Sequence, residues 1–405
     1  MSLRTGLLAL AAVMVLAACG TTTNVAVRTT PSALPPSGSA STSPSSPSPS
    51  PSPSPSPLPT ASAVSVPSWA TLSASCTGSP SAHEAVVMMQ GSNSKVLADV
   101  TDAAHPRTLC TIKGNWVPQL VTQRMVSWSA TQNQGQSGPS VLATLDLFSG
   151  ATAVIANWQG GFWMDGVHAW SPDESAIAYV TSTASAVNLH LLSGGGDRTI
   201  ATYGSVPGRG FNPDEDSAYL GFSSDGKYLA LVQTFTSGGS AHLQIRRTKD
   251  GSLAYSQANG TMATWSSTGS QLYFREPSKT AIKVWDPSSG VADLFALQQA
   301  WIRPISDAGD TYAAYGVRDS SGNPHVWIYG YNGRSGGQLG NVRSSPIFLN
   351  SSSLFSYEET PCAPNCGPGP PTTANGKTFV YNLTTQSENA SSIATVYGSW
   401  PRPGQ

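Results

Sequence analysis

Trp170-Ser171-Pro172-Asp173-Glu174-Ser175-Ala176-Ile177-Ala178-Tyr179-Val180 decides how the rest of the chain is read. It is the end of one strand, a tight turn, and a second strand of almost continuous apolar residues. Proline presets φ for a type I turn, and serine and aspartate side chains bond the nearby backbone. The same plan recurs at Phe222-Ser223-Ser224-Asp225-Gly226-Lys227-Tyr228-Leu229-Ala230-Leu231-Val232 and at Trp265-Ser266-Ser267-Thr268-Gly269-Ser270-Gln271-Leu272-Tyr273-Phe274. Weaker copies begin at Ile305-Ser306-Asp307 and Phe348-Leu349-Asn350. An earlier one, at Ser127-Trp128-Ser129, is stretched by a polar insertion from Gln132 to Gly138.

Anchors at Trp128, Trp170, Phe222, Trp265, Ile305 and Phe348 lie 42, 52, 43, 40 and 43 residues apart. Those intervals match four-stranded propeller blades, which repeat every ~40–50 residues. Most units continue into a third strand of period two, as in Val141–Leu147, Asn188–Leu192, His242–Arg246, Ile282–Asp286 and His325–Tyr329. A glycine-bearing turn and a weaker fourth strand follow, such as Ala292–Leu297. Ahead of the first anchor, His83–Lys113 holds one more unit, with Val96–Val100 as its third strand and Arg107–Ile112 as its fourth. The expectation is an all-β, seven-bladed propeller of four-stranded antiparallel blades over residues 69–405. Blades arranged around an axis cover each other's faces and leave only short edges. Closure is expected to pair a strand near Trp69–Ser73 with the C-terminal blade around Ser392–Tyr397.

The Trp170-Ser171-Pro172-Asp173 and Phe222-Ser223-Ser224-Asp225-Gly226-Lys227 units resemble the repeat of TolB-like propellers, relatives of the WD-repeat fold. In that family the phrase is Trp-Ser-Pro-Asp-Gly-Lys followed by an Ile-Ala-Phe-like strand. The likeness covers about residues 83–360 and is degenerate outside those two units. It implies a fold; propellers host enzymes, receptors and scaffolds alike.

The front of the chain carries an address. Arg4 precedes an apolar run from Leu7 to Ala18, which ends in Leu16-Ala17-Ala18-Cys19-Gly20. That run falls short of the ~20 residues of a membrane-spanning helix and reads as a secretory signal over residues 1–18. The four residues ending in Cys19 resemble a bacterial lipobox, which implies lipidation of Cys19 and a lipid anchor in the membrane. Residues 19–68 then form a Ser/Pro-rich spacer with no charged side chain between Arg28 and Glu84. Such a tract buries too little to offset chain entropy and is expected to be disordered and extended. The localisation expected is the bacterial cell envelope, facing outward.

Charged residues make up only 11% of the chain and the net charge is -1, so nothing basic is present to hold nucleic acid. Beyond Cys19 the cysteines are Cys76, Cys110, Cys362 and Cys366. An even number in an exported chain suggests disulfides, and four cysteines allow three connectivities. The preferred pairs are Cys76–Cys110, closing the first repeat, and Cys362–Cys366, pinching a Pro/Gly-rich loop. Zinc would want two close ligand pairs, so no metal and no cofactor is expected.

Catalytic candidates are few. Gly333-Arg334-Ser335-Gly336-Gly337 fits a nucleophile-elbow pattern, but that motif acts at a strand-to-helix turn and this copy lies between two strands. Propellers that accompany serine peptidases carry an attached hydrolase domain, which is not expected here. Asp214-Glu215-Asp216 and Asp307 with Asp310 lack calcium-loop spacing. His190, His242 and His325 fall in third strands and read as cross-strand packing. Strands before the anchors should line the central channel, which makes Arg124, Asp165, His168, Trp301, Arg303 and Arg343 the candidate ligand-binding residues at its mouth. The function expected is a non-enzymatic binding module for a protein or glycan partner. The alternative is a propeller enzyme, a hydrolase or lyase, with its site at the channel mouth.

Overall fold

A computed structural model of the protein describes residues 65–78, 85–91, 94–133, 137–160, 166–183, 186–203, 218–234, 241–276, 281–296, 305–306, 312–318, 324–330, 337–339, 343–350, 352–358, 377–393 and 396–400. In chain order the first strands are β1 to β4 (Ser73–Cys76, Val86–Gln90, Lys95–Asp99, Arg107–Lys113) and β5 to β8 (Gln119–Leu120, Met125–Thr131, Gly138–Asp146, Thr152–Gly160). Next come β9 to β12 (His168–Trp170, Ala176–Ser182, Val187–Ser193, Gly196–Tyr203) and β13 to β16 (Ala218–Phe222, Tyr228–Thr234, Ala241–Arg247, Leu253–Ala258). They are followed by β17 to β20 (Thr261–Trp265, Leu272–Arg275, Ala281–Asp286, Gly290–Ala296) and β21 to β24 (Ile305–Ser306, Tyr312–Arg318, Pro324–Gly330, Gly337–Gln338). The last are β25 to β28 (Arg343–Asn350, Ser353–Glu358, Thr378–Asn382, Ser387–Ser391) and β29 (Val396–Trp400).

Each consecutive foursome from β5 onward is one antiparallel four-stranded sheet, six in number. The remaining sheet has five strands, in the order β1-β4-β3-β2-β29. First strands of successive sheets adjoin one another: β9 by β13, β13 by β17, β17 by β21, β21 by β25, β25 by β29, and β29 by β5. The molecule is an all-β propeller of four-stranded antiparallel blades with those strands innermost.

Period two explains the packing. Along β10, Ile177 and Tyr179 face Val121, Leu142 and Trp170 toward the preceding sheet. Ala178 and Val180, alternating with them, face Leu220, Phe222 and Leu231 of the next. The pattern repeats one sheet on, where Ala230 and Val232 meet Trp265, Leu272 and Phe274. Each fully buried large side chain contributes about 1.5–3 kcal/mol. Almost continuous apolar runs therefore mark strands covered on both faces.

The deciding turn is built as its residues suggest. Glu174 N–H donates to the Ser171 carbonyl at 3.0 Å. Ser171 Oγ donates to Asp173 Oδ1 at 2.6 Å and accepts the Ala176 N–H at 2.9 Å. Ser223 makes the matching bonds to Asp225 Oδ1 and Tyr228 N at 2.7 and 3.0 Å. The fifth residue of the phrase is left-handed in all three units, with φ of 60° at Glu174, 70° at Gly226 and 91° at Gly269.

Three expectations need correction. Among the described residues six sheets have four strands, and the sheet that closes the ring has five because it takes strands from both ends of the chain. The two terminal segments share that sheet without pairing to each other: β1 joins β4 at the outer edge, and β29 joins β2 at the inner edge. Trp128, read as the end of a first strand, lies in the middle of the second strand β6. The true first strand is the two-residue β5, and the insertion after Gln132 separates β6 from β7. An indole buried on a second strand has the same local sequence signature as one on a first.

Cys76 and Cys110 are directly opposed on β1 and β4 and form a disulfide. Cys19, Cys362 and Cys366 lie outside the described residues. Among the described residues no helix is long and apolar enough to cross a membrane.

A left-handed φ costs a side-chain-bearing residue about 1–2 kcal/mol relative to glycine. Glu174→Gly is therefore expected to raise the unfolding free energy by about 1 kcal/mol, read from the urea midpoint. Gly226→Ala, where an added Cβ would meet only Pro172 Cδ at 3.9 Å, is expected to lower it by about as much.

Candidate functional site

The inner hairpin turns and the turns between third and fourth strands lie at the same end of each blade. There a cleft of about 460 Å³ opens between the β9–β12 and β13–β16 sheets. Pro172 and Leu191 supply apolar wall, and Asp173, Arg198, Asp225 and Lys249 supply charge. Arg198 reaches across the cleft and donates to the carbonyls of Thr248 and Lys249, the second at 3.0 Å. Thr248 Oγ1 in turn donates to Gly226 O at 2.8 Å. The exposed Arg198 thus ties the two blades across the cleft.

Both carboxylates remain ionised. Burial pushes Asp173 upward, and the hydroxyls of Ser171 and Ser175 with the Ser175 N–H outweigh it, so its pKa is lowered. At Asp225 burial is again the largest single effect; hydrogen bonds from Ser270, Ser223 and Lys227 together overcome it and bring the pKa to about 2. Lys227 Nζ stands 3.0 Å from Asp225 Oδ2. The cleft therefore offers fixed charge of both signs beside serine and threonine hydroxyls, a surface suited to recognition.

Of the expected channel-mouth residues, the three that are described, Arg124, His168 and Arg343, are not brought together. Arg124 lies in the turn after β5, so it follows the first strand on which it is expected. Its Nη2 is 3.8 Å from Asp146 Oδ2, and its guanidinium sits 5.3 Å from the Phe148 ring. Arg343 opens β25 at the opposite end of a first strand and turns along the sheet to Glu388 on the outermost strand β28. Two bonds of 3.1 and 2.8 Å join them over the Phe379 ring. His168 does stand on a first strand, but it is buried. Asp165, Trp301 and Arg303 lie outside the described residues.

His168 belongs to an inter-blade stitch that sequence reasoning missed. Its Nε2 is 2.9 Å from Ser127 Oγ and its Nδ1 2.9 Å from Gly166 O. Trp170 Nε1 donates to the same Ser127 Oγ at 3.1 Å. A serine hydroxyl beside an imidazole resembles the start of a catalytic relay, in which a third group orients the histidine. Here Ser127 is 0% and His168 5% exposed, so the pair has no access for a substrate and joins two sheets.

A second cluster was equally hidden. Thr181, His190 and Asp197 follow one another across β10, β11 and β12, with His190 Nε2 3.1 Å from Thr181 Oγ1 and Nδ1 3.4 Å from Asp197 Oδ2. Tyr179 stacks on His190 with ring centroids 4.7 Å apart and donates to Asp197 Oδ2 at 2.7 Å. Burial, then the Asp197 bond and charge, push the Tyr179 phenol well above its usual pKa. His242 and His325 likewise bond across to Ser256 and Gln338 of adjacent strands. Among the described residues no three His, Cys, Asp or Glu side chains gather as metal ligands.

These features define the class: a β-propeller whose open polar cleft lies on a turn-bearing rim. No family model matches the chain, and no curated protein matches it either. Solved structures do. One, from a structural and mechanistic analysis of two prolyl endopeptidases, is 12% identical with a TM-score of 0.50, over 78% of this chain and 50% of that one. Prolyl oligopeptidase B from Galerina marginata is 13% identical with a TM-score of 0.50, over 76% of this chain and 48% of that one. TolB from Acinetobacter baumannii is 16% identical with a TM-score of 0.42, over 65% of each chain. At these identities the likeness is one of fold. The chain spans about half the length of the peptidases it matches and 65% of the TolB chain.

The lowered Asp225 pKa sets a pH dependence. Its contribution to stability is present above the unfolded value of 3.8 and is lost as pH falls through about 2. The urea midpoint is expected to drop across that window, and Asp225→Asn to flatten part of the drop. An unchanged profile in the variant would show that the turn does not depend on the charge.

Proposed function

We propose that this chain is a lipid-anchored, extracytoplasmic protein whose seven-bladed propeller is a non-enzymatic binding module for a protein or glycan partner. In this reading the five-stranded sheet is the seventh blade, with β29, β2, β3 and β4 as its four strands and β1 as an added outer edge. The observation that carries the proposal is the Cys76–Cys110 disulfide in a chain that opens with an apolar run and Leu16-Ala17-Ala18-Cys19. Disulfides persist in oxidising compartments outside the cytoplasm, which agrees with export and with anchoring at Cys19. The Ser/Pro-rich spacer would then hold the propeller away from the membrane, at ~3.1 Å per residue when extended.

Binding is favoured over catalysis by where polar groups are accessible. The Ser127–His168 pair is sealed between sheets, whereas Asp173, Arg198, Asp225 and Lys249 meet solvent at an open rim. The prolyl peptidases similar in fold extend well beyond the part this chain matches, so their activity does not transfer with the propeller.

Two outcomes are expected. Cys19→Ala should move the protein from the membrane fraction into the soluble fraction, and unchanged retention would refute the anchor. The purified Cys19→Ala chain, used as bait in envelope extracts, should recover a partner, and Asp173→Asn with Lys249→Ala should weaken that recovery. Turnover of a substrate by the bait, with no partner recovered, would overturn the binding reading.

A further inference from the structure

We infer that residues 66–76 are a mechanical strap, in which the Cys76–Cys110 bond stops tension on the N-terminus from reaching β2. The inference takes its source of tension from the lipid tether proposed above; its geometry is independent of it.

The strap is docked in two stages. Ala70 and Leu72 are buried in the core shared by the closing sheet and the β5–β8 sheet, with Val66 and Trp69 packed against it. Two indoles hold its backbone: Trp116 Nε1 donates to Trp69 O at 3.1 Å, and Trp128 Nε1 donates to Ala70 O at 2.8 Å. The chain then enters β1, which among the described strands pairs with β4 alone, from Ser73 opposite Lys113 to Cys76 opposite Cys110.

A pull on the N-terminus loads these contacts in order. The Trp69 and Ala70 bonds bear first, then the Ser73–Lys113 pair. An edge strand peeled from its end breaks its pairs one at a time, so four residues of β1 offer little resistance together. The next strand along the chain is β2, which lies between β29 and β3 and therefore holds the ring closed. Peeling β2 would detach the C-terminal strand from the N-terminal sheet.

The disulfide interrupts that sequence at its last step. Cys110 is 1% exposed within β4, between buried Leu109 and Ile112. Strand β4 has β1 on one side and β3 on the other. Load arriving at Cys76 passes covalently into the seven-residue β4 and is spread along its pairing with β3. Strand β2 then carries none of that load.

Single-molecule extension tests this in the full chain, held by its N-terminus and by a handle placed at the exposed Ser289. With the disulfide intact, the low-force extension should end at residue 76 and a distinct high-force opening should follow. In Cys76→Ser with Cys110→Ser, the low-force extension should continue through β2 and the distinct high-force event should be lost. Reduction of the folded wild-type molecule by a dithiol should do the same, which covers a variant that fails to fold. Pulling between handles at the exposed Ser149 and Ser289 leaves β1 unloaded, and there the opening force should change little with reduction. Equal loss in both pulling geometries would reduce the bond to general stabilisation and overturn the strap; so would an N-terminal pull indifferent to reduction. Membrane retention of Cys19→Ala would sink the tether and leave these force measurements standing.

Discussion

Ring closure rests on one strand, β29, lying between the first strands β25 and β5 while pairing with β2. Joining residues more than three hundred positions apart carries a chain-entropy cost of about 5 kcal/mol by the logarithmic loop law. The contacts at the joint have to exceed it. Val396 enters a core with Val87, Ala98, Leu349 and Phe355. The Val396 N–H donates to Tyr357 Oη at 2.9 Å, and Asn350 Nδ2 donates to Val100 O at 3.1 Å. Both bonds cross from the closing sheet to the one before it, so closure and inter-sheet packing are a single event.

The same logic runs round the described ring. Trp265 Nε1 donates to Gly221 O at 2.7 Å and Trp170 to Ser127 Oγ, each reaching back to the sheet before its own, and Trp128 donates to Ala70 O in the segment that leads into β1. A tryptophan suits that position because it fills the space between two sheets and carries a donor at its far edge. A sheet covered on both faces has few accessible side chains left in its inner strands. Accessible polar groups then concentrate at the rim, where the turns carry serine, aspartate, arginine and lysine. The cleft between the Pro172 and Asp225 turns follows from that division of labour.

Much of the fold was legible in the sequence because its signals are local. The Ser171–Asp173 and Ser223–Asp225 turns bond within five residues, and β11, β15, β19 and β23 fall where alternation placed third strands. The candidate site was much less legible. Trp128 has the local signature of a first-strand anchor, which puts Arg124 at the channel; one misplaced strand moves every neighbouring residue to another part of the blade. Arg343 was assigned by its distance from Phe348, but its long side chain finds Glu388 three strands away. Ser127 and His168 are forty-one residues apart, and nothing near either one announces the other.

The sequence by itself determined the hairpin repeat and the period-two patterning of its strands, since each depends on residues close together. Tertiary structure alone decided that both chain ends enter one sheet at opposite edges, that Cys76 faces Cys110, and which charges share a rim. Those outcomes depend on register between segments far apart in the chain. Register is set by which apolar faces meet around the whole circle, and no local stretch carries that information.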